Sequence, residues 1–246
     1  MRVLLDVTDL VEFLQRQESA SGVQRVVAEV VPLLMCQREC GEAVVLDRVR
    51  GAFVLLDEVE RQALIDDGAR STTSRTREDV AAIATAMLAR ARSATTVVID
   101  DSTCLVFLGA LWINDALMMA ARSAHLQGAV IVSLLYDLTP VTETGHTAAI
   151  NRLFERYLNL LLQTAGRIPA ISRSSRRDLE KYAQQHGISA PAGAATGLPC
   201  GLTPTGRDTS DAPWPRPYAL FVGTIEARKN HLVALDAWDR LIDKRG

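Results

Sequence analysis

With 246 residues, 48% of them hydrophobic and 23% charged, the chain has the balance of a folded globular protein, not a disordered or fibrous one. A formal net charge of −2 gives no bulk electrostatic reason to expect a nucleic-acid partner. The length exceeds the usual single domain and falls short of two complete large ones.

Residues 2–7 form a short β-rich run, read as a strand, and a polar loop follows it to Ser19-Ala-Ser21-Gly22. Val23, Val26, Val27, Val30 and Leu34 then recur at helical spacing. Strand, glycine loop and helix in that order open a Rossmann-like unit. Pro32 is expected to kink that helix or end its first piece. Neither G-x-G-x-x-G nor G-x-x-x-x-G-K-[ST] occurs, so a dinucleotide fingerprint and a P-loop have no support.

Residues 43–46 and 52–56 read as two short strands joined by a polar turn. Residues 66–77, rich in Ser, Thr and Arg, suggest a mobile loop. Thr76-Arg-Glu-Asp79 offers an acidic helix start, and Val80, Ile83, Ala84, Met87, Leu88 and Ala91 form one helical face. Residues 95–100 and 105–112 are strand candidates, and Asn114 can cap a helix that Gly128 ends.

Residues 129–136 make the clearest internal strand, a continuous β-branched run that fits a parallel strand buried on both faces. It ends in Asp137-Leu-Thr-Pro140, at the carboxyl end where open α/β sheets hold ligands. A helix over about 147–164 follows, then a short strand at 167–171. Ser175-Arg-Arg-Asp178 resembles a capping box for a helix to His186. From residue 190 the composition shifts to Gly, Pro, Ala and Thr, which reads as linker, with Pro213, Pro215 and Pro217 stiffening its end.

The domain boundary is therefore placed there: residues 1–200 as one Rossmann-like domain, 201–217 as linker, 218–246 as the start of a second. Ala219–Val222 reads as a buried strand that breaks at Gly223, passes Thr224, Arg228 and Lys229, and enters an amphipathic helix at Asn230. A lone βα unit cannot bury both faces of a sheet, so the second domain is expected to be truncated. The expected fold class is α/β with a mainly parallel sheet.

Four cysteines, Cys36, Cys40, Cys104 and Cys200, show no disulfide or zinc spacing, so free and mostly buried thiols in a reducing cytoplasm are expected. Asp6, Asp9 and Glu12 interrupt the N-terminal apolar run and spoil a signal-peptide core. Nothing approaches the roughly 18 uninterrupted apolar residues of a spanning helix. The four histidines lack H-E-x-x-H or paired-ligand spacing, and neither D-x-D nor G-x-S-x-G occurs, so no metal site and no hydrolase nucleophile is expected.

Three stretches carry candidate chemistry, each beside a plainer alternative. Arg228 and Lys229 are either solvated surface charges or a phosphate grip at a helix N-terminus, where free N–H groups and the dipole favour anions. Arg grips phosphate oxygens bidentately and Lys adds a point charge, and both would stabilise the negative charge growing on a diphosphate leaving group. Gly22 is either a structural glycine or a point of close backbone approach to a phosphate or sugar. Asp137 is either a turn former or a substrate contact.

Phe-Val-Gly-Thr-Ile-Glu-Ala-Arg-Lys-Asn-His-Leu at 221–232, with Leu-Asp-Ala-Trp-Asp-Arg-Leu at 235–241, closely resembles the start of the C-terminal domain of group 1 (family 4) glycosyltransferases. Asp6-Val-Thr-Asp-Leu10 with Ser21-Gly-Val-Gln-Arg-Val26 resembles the N-terminal donor-loop region of that family. Leu135-Tyr-Asp-Leu-Thr-Pro140 and Ile171-Ser-Arg-Ser-Ser-Arg-Arg-Asp-Leu179 resemble later parts of its N-terminal domain, whereas residues 41–95 carry no resemblance.

The resemblance implies a GT-B architecture of two Rossmann-like domains facing across a cleft. It implies metal-independent, cofactor-free transfer of a hexosyl unit, with retention, from a UDP- or GDP-sugar to a glycan or lipid-linked acceptor, in surface polysaccharide or glycolipid synthesis. Arg228, Lys229, Gly223 and Thr224 would bind the donor diphosphate, Gly22 would lie near donor phosphates and acceptor, and Asp137 would be the catalytic contact. Many members carry a histidine where Tyr136 stands, and the family's paired-glutamate motif and base pocket lie beyond residue 246. The chain alone is therefore expected to be inactive. It is placed in the cytoplasm, with peripheral contact to the inner face of the membrane for lipid acceptors. Two alternatives stand beside this reading: a non-catalytic GT-B-derived interaction module completed by a separate subunit, and a GT-B nucleotide-sugar epimerase.

Overall fold

The computed structural model describes residues 1–16, 22–36, 41–68, 77–143, 145–198, 218–223, 225 and 229–243. Among the described residues six strands form one sheet in the order β3-β2-β1-β4-β5-β6. They are β1 Arg2–Asp6, β2 Glu42–Asp47, β3 Ala52–Leu55, β4 Thr103–Phe107, β5 Val130–Ser133 and β6 Ala165–Arg167. Every neighbouring pair is parallel except β2 and β3, which form an antiparallel hairpin. The protein is α/β with a mostly parallel sheet, compatible with a Rossmann-like fold.

The helices are α1 Thr8–Leu14, α2 Gly22–Met35, α3 Glu58–Gly68, α4 Arg77–Ala91, α5 Asp115–Leu126, α6 Thr139–Thr142, α7 Ala148–Thr164, α8 Arg173–Gln185 and α9 His231–Asp243. Period-two alternation in the strands sorts them into two layers. Leu4, Val44, Leu105 and Ile131 pack in one core with Leu117 of α5, Leu158 and Leu161 of α7, and Leu179 of α8. Leu5 and Ala43 point the other way, into a core with Leu10 and Val11 of α1, Val27 and Val31 of α2, and Met87 of α4. Strands buried on both faces are what uninterrupted apolar runs encode.

Several sequence expectations need correction. The loop after β1 begins with α1, because Val7, Leu10, Val11 and Leu14 stand at helical spacing and the first three are fully buried. Helix α2 runs through Pro32 to Met35 instead of ending there, held by buried Val27, Ala28 and Val31. Residues 66–68 belong to α3, while the rest of that expected mobile loop, 69–76, lies outside the described residues. A reciprocal capping box starts α3: the Glu60 N–H donates to Asp57 Oδ1 at 2.9 Å, and the Asp57 N–H donates to Glu60 Oε2 at 3.0 Å.

Residues 95–100 form no strand. Thr96 makes a single bridge to Val54, Val98 is exposed, and Asp100 turns the chain by accepting from Ser102 and Thr103. Strand β4 spans Thr103–Phe107, and Leu111–Ile113 is a single 3-10 turn, not the end of a longer strand. Helix α8 is capped by Ser172, whose hydroxyl accepts from the Ser175 N–H, so its start lies upstream of the expected Ser175 box. Asn114 and Thr147 cap α5 and α7 through Leu117 N and Ile150 N, as expected for Asn114. Cys36, just after α2, is exposed, against the expected burial; Cys104 is buried, and Cys40 and Cys200 lie outside the described residues.

The stretch read as linker begins as sheet edge. Ile168 and Ala170 donate to the Ala192 and Ala194 carbonyls, and Thr196 donates back to Ala170. Gly193 is required there, since a Cβ would stand 1.9 Å from the Ile168 carbonyl oxygen. The expected linker 201–217 lies outside the described residues. Residues 219–222 are not a buried strand: Leu220 and Val222 are 77% and 83% exposed, and no neighbouring strand pairs with them among the described residues. Helix α9 forms where expected, but its Ala234, Ala237, Trp238 and Leu241 face is exposed. Among the described residues no helix is long and apolar enough to cross a membrane.

Candidate functional site

The chain leaves β1 outward to β2 and β3, then returns to lay β4 against β1 on its other side. The connections that leave the carboxyl ends of β1 and β4 therefore run to opposite faces of the sheet, and a crevice opens at this switch point, where α/β sheets bind ligands. Here it holds a cavity of about 590 Å³. Gly109 and Ala110 after β4, Tyr136 and Asp137 after β5, Val23 of α2, and Trp112, Phe154 and Tyr157 contribute to its walls. The segment around α6 closes another side through Thr139, Pro140, Gly145 and His146.

A buried polar network fixes the β1 side of this crevice. Asp6, the last residue of β1, accepts from the backbone N–H and hydroxyl of Thr8, while the Thr8 oxygen accepts from the Leu46 N–H at 2.8 Å. Asp9 on α1 accepts with Oδ2 from Gln24 Nε2 at 3.0 Å and from the Ala110 N–H at 2.9 Å. One carboxylate thus ties the first turn of α2 to the loop after β4; Ala110 lines the cavity, and Gln24 follows the lining residue Val23. Gly109 makes the approach possible, since a Cβ would lie 2.9 Å from Asp9 Cβ and Oδ2.

Burial governs the proton affinities of this region. It pushes the Asp6 carboxyl up to about 7 against the pull of its Thr8 hydrogen bonds, with the charges of Asp9 and Glu12 adding to the rise. The Asp9 carboxyl is raised too, mainly by burial and opposed by its bonds to Ala110 and Gln24. Burial lifts the Tyr157 phenol to about 12, with the neighbouring Ser133 hydroxyl opposing and Asp137 reinforcing the rise. Burial also raises the Tyr136 phenol, whose hydroxyl donates to the Leu108 carbonyl at 2.7 Å.

Asp137 is exposed at the cavity rim. Its Oδ1 accepts from the Thr139 N–H at 3.0 Å and the Thr139 hydroxyl at 2.7 Å, a turn that leaves Oδ2 unengaged among the described residues. The turn-former and ligand-contact roles are thus compatible in one side chain. His146 Nε2 is shielded from solvent and has no hydrogen-bond partner among the described residues. Gly22, the first residue of α2, is exposed at φ +47° with nothing within 4 Å of a built Cβ, and its neighbour Val23 reaches the cavity.

Gly22 and Asp137 thus belong to one crevice, at and beside its wall. Gly223 and Lys229 are exposed and contribute nothing to that wall. Thr224 and Arg228 lie outside the described residues. Asn230, between Lys229 and α9, takes φ +55°, and His231 packs edge-on against Phe221 with centroids 4.6 Å apart. Among the described residues no group of three or more His, Cys, Asp or Glu side chains could hold a metal ion.

Sequence reasoning did not single out the Asp6–Thr8–Asp9–Gln24 network or the aromatic wall. The Asp6-x-Thr8-Asp9 spacing at a strand end was a usable signal for the first. Phe154 and Tyr157 were visible only as part of a helix face. Comparisons with protein-family models, with characterised proteins and with solved structures return no match to this chain.

Proposed function

We propose that the chain carries the acceptor-side domain of a GT-B glycosyltransferase in residues 1–200, and the opening segment of its donor domain, with α9, in residues 218–246. The activity is retaining transfer of a hexosyl unit from a nucleotide-diphosphate sugar to a glycan or lipid-linked acceptor in surface polysaccharide synthesis, without metal. The observation that carries this reading is the switch-point cavity, which opens at the carboxyl ends of parallel strands with Asp137 on its rim. In this reading Asp137 is the catalytic contact with substrate.

The run from Gly223 to His231 supports the donor half of the reading. Lys229, with Arg228 before it and the N-terminus of α9 after it, is suited to a diphosphate whose charge grows as its bond to the sugar breaks. The cytoplasm, against the inner face of the membrane where the acceptor is a lipid, is the compartment that supplies such donors.

Titration of UDP and GDP into the chain tests this assignment. Saturable binding in the roughly millimolar range, lost in Lys229→Ala, is the expected result. Absence of binding, or equal binding by the variant, removes the donor assignment. The exposed apolar surface of Leu220, Val222, Leu232, Leu235 and Trp238 favours one other reading, an interaction module completed by a separate subunit. In that case the surface binds a polypeptide and no nucleotide sugar.

A further inference from the structure

We infer that the switch-point cavity takes a neutral or amine-bearing sugar ring, the terminal residue of a glycan acceptor, and is closed to phosphate. The word acceptor rests on the glycosyltransferase reading; the ligand's chemistry rests on the cavity alone.

The volume of about 590 Å³ lies within the roughly 300–1,000 Å³ of small-molecule sites. One wall is aromatic: Trp112 meets Phe154 edge-on at 5.5 Å between centroids, and Phe154 meets Tyr157 in the same manner at 5.3 Å. Such a wall suits the C–H face of a pyranose ring, which is apolar, while the ring's hydroxyl edge needs polar partners. Asp137 supplies one, since Oδ1 is engaged by Thr139 and Oδ2 is left for an incoming donor. The Thr147 oxygen accepts from the Ile150 N–H at 3.3 Å, so its O–H remains to donate to a ring oxygen.

Charge decides between ligand classes. Among the described residues no Arg or Lys lines the cavity, Asp137 is its one carboxylate and His146 its one imidazole. A phosphate or uronate there would lose hydration and meet the Asp137 carboxylate, with a single imidazole, that of His146, and no Arg or Lys among the described residues to offset it. The N-terminus of α7 reaches the wall at Thr147 and Ile150, but the Ile150 N–H is already capped, and a helix end is only a fractional charge. The carboxylate dominates. Hydroxyls and ammonium groups gain from it, and anions do not.

The test follows the Trp112 indole N–H by NMR in the 246-residue chain, with Trp112→Phe assigning the signal. The probes are methyl α-D-glucopyranoside, methyl α-D-mannopyranoside, glucosamine, glucuronic acid and glucose 1-phosphate. At least one neutral or amino sugar is expected to move the signal saturably, while the two anions leave it in place at the same concentration. Asp137→Asn keeps an acceptor for Thr139 but turns the ligand-facing oxygen into a donor, and should weaken binding by roughly fivefold or more. Anions that bind as well as neutral sugars, a panel that never moves the signal, or an Asp137→Asn variant that binds like the parent would each overturn the inference.

The two readings fail separately. Sugar binding at Trp112 without UDP or GDP binding at Lys229 leaves the ligand class standing and removes the donor assignment. Nucleotide binding at Lys229 with hexose phosphate at Trp112 does the reverse.

Discussion

Replacing Asp6 by Asn should make the protein more stable at neutral pH and flatten its dependence on pH. The Asp6 carboxyl is 2% exposed and its proton affinity is raised from 3.8 to about 7. Because the folded state holds the proton more tightly than the unfolded chain, stability is greatest below the unfolded value and falls as pH rises towards 7. The displacement of about 3 pH units, at about 1.4 kcal/mol for each, sets an upper limit of about 4 kcal/mol lost by the time the group is ionised. Asn keeps an oxygen for the Thr8 N–H and hydroxyl while removing the charge. Its NH₂ must find partners in a buried site, so the net gain falls below that limit. Urea unfolding of parent and variant at about pH 5 and about pH 8 measures the difference. Asp9 is raised as well and adds a slope of the same sign to both proteins, so the difference reports Asp6 together with its coupling to Asp9. A stability difference that does not change between the two pH values would refute the reasoning.

Gly193→Ala should cost about 2–4 kcal/mol, because the new Cβ would collide with the Ile168 carbonyl and force the 192–196 segment off the sheet edge. Thermal denaturation checks it, and an unchanged midpoint would contradict the close approach. Asp57→Ala should cost about 1 kcal/mol by uncapping α3, and urea titration at constant slope would show it; no loss would mean that the Glu60 side chain alone holds the helix start. Tyr157, raised to about 12, should keep its proton near pH 11 while the fold persists. Ultraviolet titration in which all four phenols of the chain ionise together near pH 10 would contradict its burial.

The sheet was legible where the residues themselves carry it. Leu4-Leu5 and the 130–132 run are continuously apolar because both faces of their strands are covered, and that pattern survives any change of context. Residues 95–100 and 219–222 have similar β-branched or apolar content and form no strand, since a strand also needs a neighbour to complete its hydrogen bonds and composition does not supply one. Helix α1 was hidden behind its acids: Asp9 is buried and bonded, so the charge that suggested a loop is part of the packed face. In the site, Asp137 could be read from its place after a buried strand. The Asp9–Ala110 bond could not, because its partners stand 101 residues apart and neither residue type announces the other.

That distant bond is also what turns a Rossmann-like sheet into a site. A carboxylate buried to 5% exposure raises the free energy of its ionised form, and an apolar residue would pack there without that cost. What the carboxylate supplies instead is direction: two donors from separate elements must meet one oxygen, which fixes the start of α2 relative to the Gly109–Ala110 turn. Val23 on one of those elements and Gly109 with Ala110 on the other are walls of the cavity. The stability given up at Asp6 and Asp9 is therefore concentrated beside the crevice, whereas the opposite ends of β1 and β2 carry a half-exposed pair, Arg2–Glu42. A sheet built for stability alone would gain nothing by burying two acids at its switch point; one that must hold a shaped cavity open there gains a rigid rim.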